Sequence, residues 1–382
     1  MKWKERYLLD YQKKYSSLAV FGTKYNAEYL VEYFGEIFIK KYIEVFLLSK
    51  KLDNTKFFHE VPIKTVMESR FSKDGLIIIA SDVLIKDEIK KICNDCGYSN
   101  TIHITDFLYD INEDRIQKYI DGFNENKFLF KDIEIETVNR CNGSCGFCPV
   151  NKNEKQRPYH KMSEKLFYSI IDQLADLNYD KQIALFSNNE PFLDDRIVTF
   201  AEYTRKKLPK AWTTLCTNGK LLTEAKYREI FPFIDYLLID IYTTEENREI
   251  PENINRILEI AKEEGWDKQT NISVIEENAI RTSRTGTSPN SKVNTTIDNM
   301  CILPWVQMTV RPDGKISLCC SDALGQVTLG DLKKESLLEV WYGDTYNKVR
   351  EKIFAGRENM SLCKYCNFIQ DIRWIFVEGT EL

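Results

Sequence analysis

Three thiols stand within eight residues in Cys141-Asn-Gly-Ser-Cys145-Gly-Phe-Cys148. Cysteine thiolates are the usual ligands of iron–sulfur clusters, and a four-iron cube ordinarily takes four of them. Three thiolates leave one iron open to a ligand that is not the protein. Half of a structural zinc site, or a set of free thiols, is the competing reading. Zinc knuckles pair one C-x2-C with a second C-x2-C or with histidines, and the x3-then-x2 spacing is unlike them. A second set, Cys301, Cys319, Cys363 and Cys366, is spaced C-x17-C, a long gap, then C-x2-C. Its four thiols are enough to close a cluster with protein alone or to build a four-Cys zinc ribbon. Cys320, beside Cys319, is extra: a buried thiol, or a hydrogen-atom donor facing a substrate. Cys93-Asn-Asp-Cys96 has zinc or redox spacing but ends an amphipathic helix with no second pair nearby, and reads as structural.

The triplet, with an aromatic residue (Phe147) before its last cysteine, resembles the radical S-adenosylmethionine (radical SAM) enzymes. The resemblance implies that the open iron chelates the amino and carboxylate groups of SAM. Reductive cleavage of SAM then gives a 5′-deoxyadenosyl radical that takes a substrate hydrogen. Ser187-Asn188-Asn189-Glu190-Pro191 stands where the family usually has Gly-Gly-Glu-Pro, the loop that takes the methionyl ammonium. Glu190 suits that role as a charged acceptor. Asn188 and Asn189 replace both glycines, and Asn tolerates positive φ better than other non-Gly residues. Thr217-Asn218-Gly219 matches the family's T-N-G. Asp240 and Tyr242 end the fourth strand as candidates for ribose or substrate, and Ser273 lies on the fifth. Each reads equally well as a strand-end polar group satisfied locally. Arg284, in Ser283-Arg284-Thr285-Gly286, is a candidate clamp for the SAM carboxylate or a substrate oxygen, against the reading of a solvated loop arginine. The carboxy-terminal cysteines resemble the SPASM/twitch extension in its short form with one auxiliary cluster. Two 4Fe–4S clusters are therefore implied, one held by three cysteines and SAM, one closed by four.

The elements that must position these residues follow from patterning. The chain has 382 residues, long for one domain. Residues 1–125 alternate strands and helices: Ser17–Phe21, Tyr42–Leu48, Leu76–Ala80 and Thr101–Ile104 as strands, with helices from Asn26 to about Phe34 and Ile85 to Cys93. This predicts an α/β, Rossmann-like amino-terminal domain. Its Phe-Gly-Thr-Lys-Tyr-Asn turn lacks the G-x-G-x-x-G glycines, so a scaffold or substrate-docking role without nucleotide is expected. It resembles the degenerate Rossmann-like domains attached to sugar- and polysaccharide-modifying enzymes. Residues 126–295 repeat a strand–helix rhythm of six strand-like segments, which predicts an open, partial (β/α)6 barrel with its chemistry at the C-terminal strand ends. Within it, Ser163-Glu-Lys-Leu is expected to open a helix as a capping box. Residues 296–382 read as a β-hairpin turning at Asp313-Gly314, a helix around Ser336–Tyr342, and the last cysteine pair.

Composition sets outer bounds. A 43% hydrophobic and 12% aromatic chain can bury a core, and a formal net charge of −5 gives no basic footprint for nucleic acid. No stretch has the apolar length of a membrane span, and no signal-peptide h-region follows the start. A cytoplasmic protein is expected, and in a reducing compartment its eleven cysteines serve metals or catalysis rather than disulfides.

A single auxiliary cluster is consistent with a net two-electron oxidation. Short-form family members include alcohol dehydrogenases on amino sugars and cyclitols, so oxidation or rearrangement of a small polar, carbohydrate-like molecule is expected. An electron donor such as flavodoxin or ferredoxin is implied. Crosslinking or epimerisation of a ribosomal peptide is the alternative, with Cys320 or Cys216 as hydrogen donor. A non-catalytic iron–sulfur or zinc protein is the third class.

Overall fold

The computed structural model describes residues 11, 13–23, 25–50, 56–81, 85–110, 113–153, 155–244, 249–279, 281–291 and 300–368. Two compact units meet in sequence between Asp121 and Gly122. The boundary expected at 295 and 296 lies outside the described residues.

The first unit carries a six-stranded sheet built from β1 (Leu18–Phe21), β2 (Ile43–Leu48), β3 (Phe57–Phe58), β4 (Val61–Thr65), β5 (Leu76–Ile79) and β6 (Thr101–His103). The order is β3-β4-β2-β1-β5-β6, and only β3 runs antiparallel to its neighbour. This is the Rossmann-like order, with the reversal between β1 and β5. Leu76–Ile79 is buried at every position, the signature of a strand covered on both faces. At the reversal, Gly22 has φ 125 and a Cβ there would stand 2.7 Å from the Ala80 carbonyl oxygen. The glycine thus serves close backbone packing between the ends of β1 and β5. Cys93 is fully buried in the core with Ile77, Ile79 and Ile89, and Cys96 packs on the same cluster. Burial pushes the Cys93 thiol up to about 12, which fits the structural reading of that pair.

The second unit carries an eight-stranded sheet. Its strands are β7 (Asp132–Ile135), β8 (Gln182–Ala184), β9 (Trp212–Thr217), β10 (Tyr236–Thr243), β11 (Thr270–Glu276), β12 (Gln307–Val310), β13 (Lys315–Ser317) and β14 (Thr328–Asp331). The order is β11-β10-β9-β8-β7-β12-β13-β14. Helices Glu164–Asp176, Ile197–Lys207, Glu224–Ile230 and Glu252–Glu263 connect the first five strands, so the sheet is an open partial barrel. Five of its parallel strands come from the strand–helix rhythm. The sixth is β12, which lies parallel to β7 rather than beyond β11. The hairpin β12–β13 then turns through Asp313-Gly314, and β13 and β14 pair antiparallel, so the carboxy-terminal extension continues the barrel sheet.

Ser163 does cap its helix, accepting from the Leu166 amide, but the third helical position is Leu166 and no side chain reaches back. The reciprocal box forms instead at Ser336 and Glu339, which open helix Leu337–Trp341. A further helix, Asp344–Phe354, was not expected from the sequence; Arg350 on it sits over the rings of Trp341 and Tyr346. Among the described residues no helix is long and apolar enough to cross a membrane.

Candidate active site

Inward and outward positions separate cleanly along β10. Leu237, Ile239, Ile241 and Thr243 are buried, while Tyr236, Leu238, Asp240 and Tyr242 are only half-buried. Period-two alternation puts the second group on one face, the inner face of the barrel. Register carries that face across the sheet: Asp240 pairs with Ser273, Glu134 with Ala184 and Thr309, and Asp132 with Gln182 and Gln307. The inner face is thus lined by polar side chains from β7, β10, β11 and β12.

The cysteine triplet lies in the loop that follows β7. A Cβ on Gly143 would stand 3.3 Å from the Cys141 sulfur and 3.8 Å from that of Cys145, so glycine leaves the space between two thiols clear. The loop's carbonyls are gathered from the protein side. Asn151 donates to Cys141 O and Gly143 O, and Lys152 donates to Cys145 O and Cys148 O. Phe147 packs 5.8 Å from the Tyr242 ring, ring centre to ring centre, and its carbonyl accepts from Ser288. Burial pushes the Cys141 thiol up to about 11 and raises Cys145, with the neighbouring thiols adding to both. Cys141 and Cys145 become thiolates together only with compensating positive charge, which is what a bound metal centre provides.

The Ser187-Asn-Asn-Glu-Pro loop follows β8 and meets the Thr217-Asn-Gly loop that follows β9. Glu190 is 1% exposed. Its carboxylate accepts from the Thr217 hydroxyl (2.8 Å), the Asn218 amide (2.8 Å) and the Phe192 amide (3.1 Å). It is therefore a pin between two loops, and burial raises its pKa. Asn218 Nδ2 donates to Asn142 Oδ1 at 2.7 Å and points to the Cys141 sulfur at 3.6 Å. Gly219 has φ 74, and a Cβ there would stand 2.8 Å from Ile254 Cδ1, so both the turn and the packing require glycine. The backbone of Asn188 is held by buried Arg157, which pairs with Glu136 at 2.5 Å and donates to Asn188 O. The Asn189 side chain accepts from the Ser187 amide at 3.0 Å. Its buried Nδ2, and Thr214 Oγ1 on β9, have no hydrogen-bond partner among the described residues.

Arg284 is not a solvated loop arginine. Its Nη1 donates to Asn188 Oδ1 at 2.8 Å and to Cys320 O at 3.3 Å. Arg284 and Thr285 have φ 48 and 54, a left-handed pair costing about 1–3 kcal/mol each. The surroundings hold it: Ser283 donates its hydroxyl to Tyr365 O and its amide to Asn367 Oδ1, both at 2.6 Å, and Thr287 donates to Arg284 O. Asp240 Oδ2 accepts from Tyr242 OH at 3.3 Å and from Cys216 Sγ at 3.7 Å. Ser273 is half-buried on β11 opposite Asp240.

The carboxy-terminal thiols of Cys301, Cys319, Cys363 and Cys366 are all buried. Cys319 and Cys363 lie within electrostatic reach of the other members of the set, and burial raises both. Among the described residues no three Cys, His, Asp or Glu side chains converge on one point as they would around a single ion. Both donor sets are all-thiol, which suits iron–sulfur ligation.

Family comparison decides between these chemistries. The radical SAM superfamily model matches residues 135–280, and the SPASM iron–sulfur cluster-binding domain model matches residues 301–367. The chain is a radical SAM enzyme with a SPASM domain. SAM and iron–sulfur clusters are thereby its cofactors, and the two cysteine sets fall one in each matched region. A curated relative is the S-adenosyl-L-methionine-dependent 2-deoxy-scyllo-inosamine dehydrogenase of Niallia circulans, 23% identical over 240 residues, covering 63% of this chain and 93% of the relative. The structure of BtrN in complex with AdoMet and 2-DOIA superposes with a TM-score of 0.55 at 22% identity, over 63% of this chain and 94% of that one. That likeness supports the partial-barrel fold of this radical SAM enzyme.

One part of the site was not expected from the sequence. Asp132, Glu134 and Glu136 are buried and stand at alternate positions on the inner face of β7 and just beyond it. Glu134 accepts from Ser187 Oγ at 2.6 Å, Gln307 Nε2 at 3.2 Å and Thr309 Oγ1 at 3.4 Å, and Gln307 Nε2 also donates to Asp132 at 2.9 Å. The acidic–apolar alternation Asp-Ile-Glu-Ile-Glu was the available signal.

Proposed function

We propose that this enzyme oxidises a hydroxyl-bearing small molecule of the cyclitol or amino-sugar class to a ketone. The observation that carries the reading is the polar inner face of the barrel, with Glu134, Ser187, Asn188, Arg284 and Asp240 close to the strand ends. The named activity of the Niallia circulans relative, matched over 93% of its length, supports the same substrate class. Cys141, Cys145 and Cys148 would hold a 4Fe–4S cluster whose open iron takes SAM. Cys301, Cys319, Cys363 and Cys366 would hold an auxiliary 4Fe–4S cluster. When bound, SAM and the first cluster supply a 5′-deoxyadenosyl radical that takes a hydrogen atom from carbon, and the auxiliary cluster accepts an electron.

The chain's own part is positioning. Glu190 fixes the Asn218 amide and the Thr217 hydroxyl, and Asn218 in turn lies against Cys141. Asn188 and Asn189 shape the turn over the SAM site, and the free Nδ2 of Asn189 is a donor available to a ligand. Asp240 and Ser273 line the opposite strands for ribose or substrate hydroxyls. Arg284 carries a guanidinium into the pocket for a carboxylate or substrate oxygen. Cys320 is a bystander thiol in an oxidation. A flavodoxin or ferredoxin would reduce the first cluster. We keep a division into residues 1–125, 126–295 and 296–382 as part of this reading.

The test is to incubate the reduced, anaerobic protein with SAM and a panel of cyclitols and amino sugars that includes 2-deoxy-scyllo-inosamine. One ketone formed per 5′-deoxyadenosine supports the reading. 5′-Deoxyadenosine with no oxidised polyol, or hydrogen taken from a peptide instead, defeats it.

A further inference from the structure

Oxidising an alcohol to a ketone removes a hydrogen atom from carbon, an electron, and the proton of the hydroxyl. The first two go to the cofactors, and the proton needs an acceptor in the chain. Ser187 is half-buried at the mouth of the barrel, in the loop following β8, and its hydroxyl donates to Glu134 Oε2 at 2.6 Å. The same hydroxyl accepts from Asn188 Nδ2 at 3.2 Å, and Asn188 Oδ1 accepts from Arg284. The hydroxyl is thus oriented with its proton toward the carboxylate. A lone pair of the oxygen remains for a substrate O–H.

We propose that Glu134, reached through the Ser187 hydroxyl, accepts the proton released from the substrate's hydroxyl, an assignment that rests on the alcohol-oxidation reading. The substrate O–H bond breaks and its proton goes to Ser187 Oγ. The Ser187 O–H bond breaks in the same event and a new O–H bond forms at Glu134 Oε2. Bound SAM and the auxiliary cluster would take up the carbon's hydrogen atom and the remaining electron, and loss of the three together leaves the ketone.

The environment of Glu134 suits reversible proton uptake. Ala184 pairs with it on β8, and Thr309 faces it from β12 and donates to its carboxylate. Burial holds its pKa well above the ordinary carboxylate range, Asp132 on the same strand raises it further, and Ser187, Arg284 and Thr309 act against them. Asp132 is itself raised by burial. Cys320, beyond β13, is the other titratable group facing the pair, and its thiol is raised well above its ordinary value. A base tuned toward neutral pH is the kind that general base catalysis favours.

The test has two parts. Infrared spectra of the protein as isolated, recorded through a pH titration, should contain in the wild type and in S187A a carboxylic-acid C=O band that is full at acid pH and fades as the carboxyl ionises with rising pH, and that is absent from E134Q. With the reactive alcohol from the panel above, ketone formed per 5′-deoxyadenosine should fall about a hundredfold or more in E134Q and in S187A. The acid limb of the wild-type pH profile should vanish in E134Q. If E134Q does not fold, S187A carries the second part alone. No titrating band, a band unchanged in E134Q, or wild-type yield and pH profile in both variants would overturn the assignment. A wild-type protein that makes 5′-deoxyadenosine and no ketone defeats the alcohol-oxidation reading, and this assignment with it. Ketone formation equal in wild type and variants defeats this assignment alone.

Discussion

Arg284 Nη1 and Asn188 Oδ1 are 2.8 Å apart, joining residues distant in sequence across the mouth of the barrel. The bond sets a strained left-handed arginine against the loop that follows β8, and the same guanidinium reaches the Cys320 carbonyl. A hydrogen bond to a charged group is worth about 1.5–3 kcal/mol, so losing this contact should matter for the reaction more than for the fold. R284A should lower kcat/KM by about tenfold to a hundredfold. R284K should recover little of it, because an ammonium lacks the planar fork. Steady-state kinetics on the alcohol substrate, with iron content measured beside them, check this. An unchanged kcat/KM in R284A would remove Arg284 from the site.

Glu190 offers a stability prediction. Three donors converge on its buried carboxylate, and E190A leaves two backbone amides and a hydroxyl unpaired in a closed environment. Each unpaired buried group costs about 1–3 kcal/mol. E190A should therefore unfold at a temperature lower by several degrees, at about 2–4 °C per kcal/mol for a unit of this size. E190Q should lie in between, since its amide oxygen still accepts. Thermal unfolding followed by circular dichroism measures both.

The Glu134 carboxyl gives a pH dependence with a definite sign. Its pKa is raised on folding, chiefly by burial and then by Asp132. The folded state therefore binds that proton more tightly than the unfolded state. The stability it contributes is complete below the unfolded value and drains away as pH rises through the folded value. E134Q cannot ionise, so it should match the wild type at about pH 5 and be the more stable of the two at about pH 9. Urea unfolding at the two pH values decides it. A wild type that gains on E134Q as pH rises would contradict the sign.

Cys320 separates the two substrate classes. Its thiol stands beside the Glu134 pair and is raised well above its ordinary value by burial. A buried, protonated thiol is a competent hydrogen-atom donor, which an epimerisation needs and an oxidation does not. C320A should leave ketone formation within about twofold of wild type. Loss of all product with 5′-deoxyadenosine still formed would favour epimerisation, and deuterium uptake at carbon from heavy water would identify it.

Much of this site is legible from residue spacing alone. The cysteine triplet, the Thr-Asn-Gly turn and the Ser-Asn-Asn-Glu-Pro loop are local strings whose side chains end up at the strand ends because the strand–helix rhythm puts every βα loop there. The hairpin at Asp313-Gly314 is equally local. Long-range register is not. That β12 lies beside β7 is set by Gln307 and Thr309 pairing across to Asp132 and Glu134, residues far apart in sequence. Residues 133–138 look like a plain apolar run when the two isoleucines are counted, yet Asp132, Glu134 and Glu136 stand at alternate positions. Parallel strands buried on both faces are usually continuously apolar, so that alternation marked an inner face serving chemistry. Glu190 carries a contact that spacing does not show: three donors converge on its buried carboxylate and make it a pin between two loops.

The proposed reaction depends on Cys141, Cys145 and Cys148 holding a cluster whose open iron activates SAM, with a second cluster closed by Cys301, Cys319, Cys363 and Cys366. The most direct measurement follows 5′-deoxyadenosine from the anaerobically reconstituted, reduced protein supplied with SAM, in the wild type and in the triple C141A/C145A/C148A variant, with iron and sulfide counted in each. 5′-Deoxyadenosine is expected from the wild type at about eight irons per chain, and none from the variant at about four. Zinc without sulfide, or a fully loaded wild type that leaves SAM intact, would contradict it.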